Sequence, residues 1–249
     1  MPEWNDKGIV LSTRKYGEKG LITNILTNKH GRHLGWISNN KNVLSVVQPG
    51  NLVDVFWKSR LVEQMGNYKA ELISSISGKT FDNKFKLQAI ISLCSLLEKI
   101  LPERQSYPEV FKATEAFLNL LLMDNSSENF WIEGYVKWEI GVLSSIGFSL
   151  NFEECAVTGK KYNLYFVSPK TGKAVSKEGA GKFAPKLLLL PFFLGGAKVI
   201  GSNFYQEILA GLNITTYFFK NKLLLSINDY KNNYLPSARN RFIEMIEKL

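Results

Sequence analysis

The residues best placed to do chemistry in this chain are cations, and they gather early. Arg14, Lys15, Lys19, Lys29 and Arg32 fall in or beside the first two turns, with Tyr16 among them. Lys41, Lys58 and Arg60 extend the set, and His33 lies on the same stretch. Such groups suit phosphate, because each backbone contact releases a condensed counterion. An aromatic ring among them can stack on a base. Together they outline a surface for a polyanion, with Tyr16 as the stacking candidate.

Groups for a reaction are not found at the spacing a reaction needs. Gly78-Lys79-Thr80 looks like the tail of a phosphate-binding loop, but that loop needs a glycine where Ile73 stands. His30 and His33 have no cysteine near them in sequence. The two cysteines, Cys94 and Cys155, make neither a disulfide framework nor a four-ligand metal site. There is no G-x-S-x-G elbow, no H-E-x-x-H, and no acidic cluster of the kind that holds magnesium. No catalytic residue is assigned, and the chain reads as a non-enzyme.

The elements that must position the cations follow from the hydrophobic period. Ile9 to Leu11, Leu21 to Leu26 and Arg32 to Ile37 read as three strands. In the third, Leu34 and Trp36 share one face and His33 takes the other. Asn39 to Gln48 reads as a connector ending at the Pro49-Gly50 turn. Leu52 to Lys58 alternates, with Val53, Val55 and Trp57 on one side, and Tyr68 to Ile76 is a fifth strand. Trp36 and Trp57 are both expected in the core. Five strands without an intervening helical period suit a small Greek-key barrel such as the oligonucleotide-binding (OB) fold.

From Phe81 the period becomes helical. Ile90, Leu93, Cys94, Leu97 and Leu101 form one stripe, Val110 to Leu122 a second, and Trp131, Tyr135, Trp138 and Val142 a third. Residues 151–186 break the pattern with glycines, prolines and a hairpin of Leu164–Val167 with Ala174-Val175. Helical periodicity resumes near Leu187 and continues to the end. The expected fold is therefore α+β: a five-stranded OB barrel over 1–80, then an all-helical domain over 81–249, interrupted at 151–186 by a small β insertion.

Charge is uneven on this plan. The net charge is +9. Residues 1–80 hold eleven Lys/Arg against six Asp/Glu, and 151–186 hold seven against three, whereas 81–150 are net acidic. Uneven positive charge favours a polyanionic partner over uniform solvation. The start of the chain has no cationic segment followed by an apolar core, so no signal peptide is expected. The greasiest run, Leu187 to Leu194, contains Pro191 and is too short to span a bilayer. A cytoplasmic, nucleoid-associated protein without membrane contact is expected.

Gly8-Ile9-Val10-Leu11, Arg14, Tyr16-Gly17-Glu18, Leu26-Thr27 and Gly31 resemble, in order, the N-terminal signature of the bacterial RecO family of DNA repair proteins. Gln48-Pro49-Gly50, Cys155-Ala156-Val157-Thr158-Gly159, Phe166-Val167-Ser168-Pro169, Gly172-Lys173-Ala174-Val175, Leu188 to Leu194 and Leu235-Pro236-Ser237-Ala238-Arg239 carry the resemblance through nearly the whole chain. It implies a recombination mediator that binds single- and double-stranded DNA and anneals complementary strands. It implies RecR as a partner in helping RecA displace the single-strand binding protein SSB, and docking of the SSB C-terminal tail. Use of a RecF-type loading partner stays open.

One departure matters. Many family members bind zinc through two cysteine pairs in the insertion, but here Cys155 stands alone, with Thr158 three residues on and no cysteine over Ala174 to Ala180. One thiolate cannot build such a site, so zinc is expected to be absent. Packing by Tyr162, Tyr165, Phe166 and Val175 is expected to hold the hairpin instead. Two rival readings stay open: a protein-interaction adaptor with little DNA affinity, and an OB-fold RNA binder.

Overall fold

The computed structural model describes residues 1–40, 42–123, 128–226 and 234–249. The chain divides into two compact units, Met1–Asp124 with Pro236–Phe242 and Asn125–Leu235 with Ile243–Leu249. The first unit therefore takes in the barrel and the three helices after it, whereas the sequence period alone changes near residue 80.

The barrel is closed, with strand order β1-β2-β3-β5-β4. Its strands are β1 (Glu3–Tyr16), β2 (Gly20–Thr27), β3 (Gly31–Ser38), β4 (Leu52–Lys58) and β5 (Asn67–Ser74). The long β1 makes closure possible. Its first part pairs with β4, from Glu3 opposite Lys58 to Ile9 opposite Leu52. Its second part pairs with β2, from Gly8 opposite Thr27 to Tyr16 opposite Gly20. An irregularity between Val10 and Ser12 bends the strand between its two partners.

A short helix, α1 (Val43–Val46), lies in the connector that reads as polar loop in the sequence. Val43 and Val47 join Val10, Leu21, Ile25, Ile37, Val53, Val55, Trp57 and Tyr68 in the barrel core. After α2 (Ile76–Lys79) come α3 (Lys84–Ile100) and α4 (Pro108–Leu121). Asn83 caps α3 by accepting from the amides of Phe85 and Lys86, and Pro108 takes the first turn of α4. Cys94 sits on the inner face of α3, where burial pushes its thiol up to about 12. It behaves as the small hydrophobe its stripe suggests.

All eight residues of β2 are buried, so both faces of that strand are covered. On α3, Glu98 accepts from Ser12 Oγ at 2.8 Å and from Asn24 Nδ2 at 2.9 Å, which ties the helix to β1 and β2 at once. At the other end of β2, Gly31 has φ +71°, and any Cβ there would meet the Gln105 backbone at 2.0 Å. Only glycine fits that turn.

The second unit begins with α5 (Glu128–Ser145), whose Trp131, Tyr135, Trp138 and Val142 are buried as the stripe predicts. A three-stranded sheet follows, ordered β7-β6-β8, from β6 (Leu164–Val167), β7 (Ala174–Ser176) and β8 (Leu188–Leu189). The structure corrects the helical reading from Leu187. Residues 188–189 add a third strand, Phe192–Leu194 form one 3-10 turn, and regular helix starts only at α6 (Phe204–Phe218). Pro191, Gly195 and Gly196 explain the break: proline lacks the amide a helix needs, and Gly195 sits at φ +95°. Among the described residues no helix is long and apolar enough to cross a membrane.

The bonds to Glu98 give a test. Replacing Glu98 by Ala strands two donors of which Asn24 is buried, and should cost about 1–3 kcal/mol of unfolding free energy in urea titrations. Glu98→Gln keeps an acceptor and should cost less. Equal losses would mean that carboxylate packing, not acceptance, holds the helix.

Candidate nucleic-acid interface

The structure divides the candidate cations of β1, β2, β3 and their turns between the two ends of that ribbon. β2 and β3 are eight residues each, so those ends lie about 24 Å apart.

At one end, Arg14, Lys15, Tyr16 and Lys19 flank the β1–β2 turn and are all exposed, Tyr16 by 60%. Gly17 turns the chain at φ +66°. Gly20 lies directly under the Trp36 indole: a Cβ there would be 2.1 Å from Trp36 Nε1. The Asn39 amide donates to the Lys19 carbonyl at 2.9 Å. Trp36 is thus seated beside Lys19, on the outer face of β3.

From Trp36 an open groove of about 750 Å³ runs across the outside of β3, β5 and β4. Phe56 and Met65 line it with Lys58, Arg60 and Lys69. Lys58 has an exposed ion pair with Glu3 at 3.7 Å, weak enough for a phosphate to replace. The β4–β5 loop at its rim is fixed by Arg104. That side chain donates to the carbonyls of Val62, Glu63 (3.0 Å) and Gln64 (2.8 Å). Its own backbone is at φ +61°, an uncommon position for a residue other than glycine. Sequence reasoning missed Arg104, Lys69 and the outward Trp36.

At the other end the assignments fare differently. Lys29 is exposed, and its backbone amide donates to Asp6 Oδ2 at 2.7 Å. Arg32 is committed: Nε donates to the Leu101 carbonyl at 2.8 Å and the guanidinium pairs with Glu103 at 3.5 Å. His33 points inward and is 4% exposed, so it offers nothing to a ligand on the surface. Lys41 lies outside the described residues.

The alternation of β3 is therefore right in period and reversed in sense. His33, Gly35 and Ile37 face the interior, Leu34 and Trp36 the outside. Inside, His33 packs edge-on to Trp57 at 4.8 Å and Trp4 at 5.4 Å, and Tyr68 O–H donates to the His33 carbonyl at 3.1 Å. Trp57 is core as expected, with Nε1 donating to the Met65 carbonyl at 2.8 Å. Gly35 is required because Tyr68 fills the place of its side chain, 2.3 Å from a Cβ.

In the second unit, a hollow of about 390 Å³ on the insertion carries Lys160, Tyr162, Tyr165 and Lys177. Lys177 Nζ lies 5.7 Å from the Tyr165 ring centre and Lys160 Nζ 5.9 Å from that of Tyr162. Lys160 also pairs with Glu178 at 2.6 Å. Tyr162 is 61% exposed and does not hold the hairpin; Leu164, Val167, Ala174 and Val175 are the buried residues there. The Cys155 thiol accepts hydrogen bonds in this region. Burial would push it up, but bonds from Ser176 and Thr158 hold it down at about 6.

This chain is similar to known DNA repair proteins. Residues 1–76 match the family described as Recombination protein O N terminal, and residues 84–230 match Recombination protein O C terminal. The DNA repair protein RecO of Rhodospirillum rubrum is 36% identical, over 100% of this chain and 98% of its own length. That of Rhodospirillum centenum is 38% identical over 99% and 95%, and that of Ruegeria sp. 35% over 99% of each.

The buried imidazole makes stability depend on pH. Burial lowers the His33 pKa from 6.5, the Leu34 carbonyl opposes this, Arg104 and His30 lower it further, and Glu103 raises it. The unfolded chain thus binds this proton before the folded one. Stability is full above about pH 6.5 and falls as the pH drops below it. Urea midpoints taken from pH 7.5 to 5 should fall for the wild type and fall less steeply for His33→Phe. An unchanged slope would assign the acid sensitivity to another group.

Proposed function

Because the chain belongs to the RecO family of DNA repair proteins, we propose that it is a recombination mediator. It binds single- and double-stranded DNA, anneals complementary strands and, with RecR, helps RecA replace SSB on single strands, docking the SSB C-terminal tail as it does so. It carries out no bond-making step. Its place is the cytoplasm, at the nucleoid.

One observation carries the DNA-binding part: the arc on which exposed Tyr16 and half-buried, outward Trp36 stand among the exposed Arg14, Lys15, Lys19, Lys58, Arg60 and Lys69. Cations along a strand path neutralise phosphates, while flat rings accept bases of any sequence. The β1–β2 and β4–β5 loops border this arc, as they do the ligand face of OB folds generally. The outer face of β2 takes no part, since it is covered. Lys29 stands apart, and neither Arg32 nor His33 belongs to the arc. The basic hollow of the insertion supplies a second place for a polyanion. Annealing requires two strands with their charge screened, and two such surfaces suit it.

The contributions separate by salt. Arg14→Glu with Lys15→Glu should weaken single-strand binding and lower the slope of log affinity against log salt, by about 0.7 for each phosphate no longer neutralised. Tyr16→Ala and Trp36→Ala should each cost about 1–3 kcal/mol while leaving that slope unchanged. Fluorescence anisotropy across a salt series reads both quantities. Unchanged affinity and slope in the charge-reversed variant would remove the β1–β2 turn from the interface.

The whole reading is tested by annealing two SSB-coated complementary oligonucleotides with and without this protein. Acceleration that fades as salt rises is expected. A folded protein that binds the SSB tail but accelerates nothing would be an adaptor. A preference for RNA over DNA of the same sequence would make it an RNA binder.

A further inference from the structure

We infer that the insertion is closed by a four-cornered hydrogen-bond knot standing where a structural metal would otherwise be. Its corners are Cys155, Thr158, Ser176 and Gly179. They form two pairs, each spaced three residues apart, the first from the segment before β6 and the second starting at the last residue of β7.

The corners meet at one point. Cys155 Sγ accepts from the amides of Ser176 at 3.2 Å and of Val157 and Thr158 at 3.4 Å each. Thr158 Oγ1 and Ser176 Oγ are 3.4 Å apart, and the Gly179 amide donates to Ser176 Oγ at 3.1 Å. A Cβ built on Gly179 would lie 3.1 Å from Cys155 Sγ and 3.2 Å from Ser176 Oγ. Two turns that each present positions three apart, aimed at a common centre, are the framework of a tetrahedral structural zinc site.

The donor set does not fit the ion. A structural zinc takes thiolates, imidazoles or carboxylates, and four of them. Here one sulfur meets two neutral hydroxyls and a residue with no side chain. Among the described residues no three His, Cys, Asp or Glu groups come together as metal ligands would. The sulfur also already accepts from three amides. Those bonds, with Thr158 and Ser176, join the two segments that an ion would join. Ser176 has a second task, capping the turn Lys177–Ala180 through the same Gly179 bond. The knot thus holds the hairpin base by bonds that need no metal supply.

The framework is separable from its chemistry, which opens it to experiment. Full-length wild type grown with added zinc should carry no stoichiometric metal, and EDTA should change neither its melting temperature nor its annealing rate. Thr158→Cys, Ser176→Cys and Gly179→Cys together should bind one equivalent of cobalt(II), with the visible spectrum of a tetrahedral thiolate site, and should melt lower once EDTA is added. Because a side chain at 179 is crowded, Thr158→Cys with Ser176→Cys forms the companion variant, expected to bind cobalt through three thiolates. Ser176→Ala alone should lower the melting temperature of the metal-free protein. One equivalent of zinc in the wild type, whose removal lowers its melting temperature, would overturn the inference. So would a folded companion variant that takes up no cobalt. Neither result bears on DNA binding by the barrel, which stands or falls on the anisotropy measurements.

Discussion

Barrel closure rests on β1. One strand has to pair with β4 over its first part and β2 over its second, and the irregularity between Val10 and Ser12 lets it turn from one partner to the other. Closure removes the free sheet edges that would otherwise invite pairing with other chains. It also creates an inside, which fills with Val, Ile and Leu and with an aromatic group of Trp4, His33, Trp57 and Tyr68. With the inside fixed, the outside becomes the only place left for function. Glu98 then divides that outside in two: the face of β1 and β2 beneath α3 is sealed, and the arc over β3, β5 and β4 stays open.

The strands and the long helices are legible because their hydrophobic periods are distinct. The third strand shows the limit. A period of two says which residues share a face but not which face is inside. With Leu34 and Trp36 on one side, the greasier side looks like the core. The deciding fact lies elsewhere in the chain: Tyr68 occupies the space at Gly35, so the barrel interior is on that side. Hydrophobic content also misleads at Leu187 to Leu194, where Pro191 and two nearby glycines turn an apolar run into a short strand and a 3-10 turn. α1 has four residues, too few to show a helical period.

The candidate site is legible in its residue types and illegible in its geometry. Tyr16 and the cations around it are at a turn that the sequence marks with Gly17, and turns are exposed. Arg32 looks equivalent to Arg14 in sequence, yet it is spent on Leu101 and Glu103, from a distant segment that no local pattern reveals. Arg104 is the converse. It carries no motif, and its role in holding the β4–β5 loop is visible only through its three carbonyl partners and its left-handed backbone.

On the proposed reading, the division between cations and rings has a kinetic meaning. Phosphate contacts are long-ranged, tolerant of geometry and traded against salt ions, so they gather strands and let them slide. Stacking is short-ranged and holds a base only while that base is unpaired. When two strands on such a surface pair, the rings lose their bases to the duplex, whereas the cations keep the phosphates. Trp36 and Tyr16 would therefore favour the unpaired state, and the arc around them would favour either state about equally. A surface built mostly of rings would hold strands apart, and one built only of cations would not distinguish reactants from product. The observed arc, with two outward rings among six cations, sits between those extremes. On the proposed reading, that balance would let the protein speed pairing and still release the duplex.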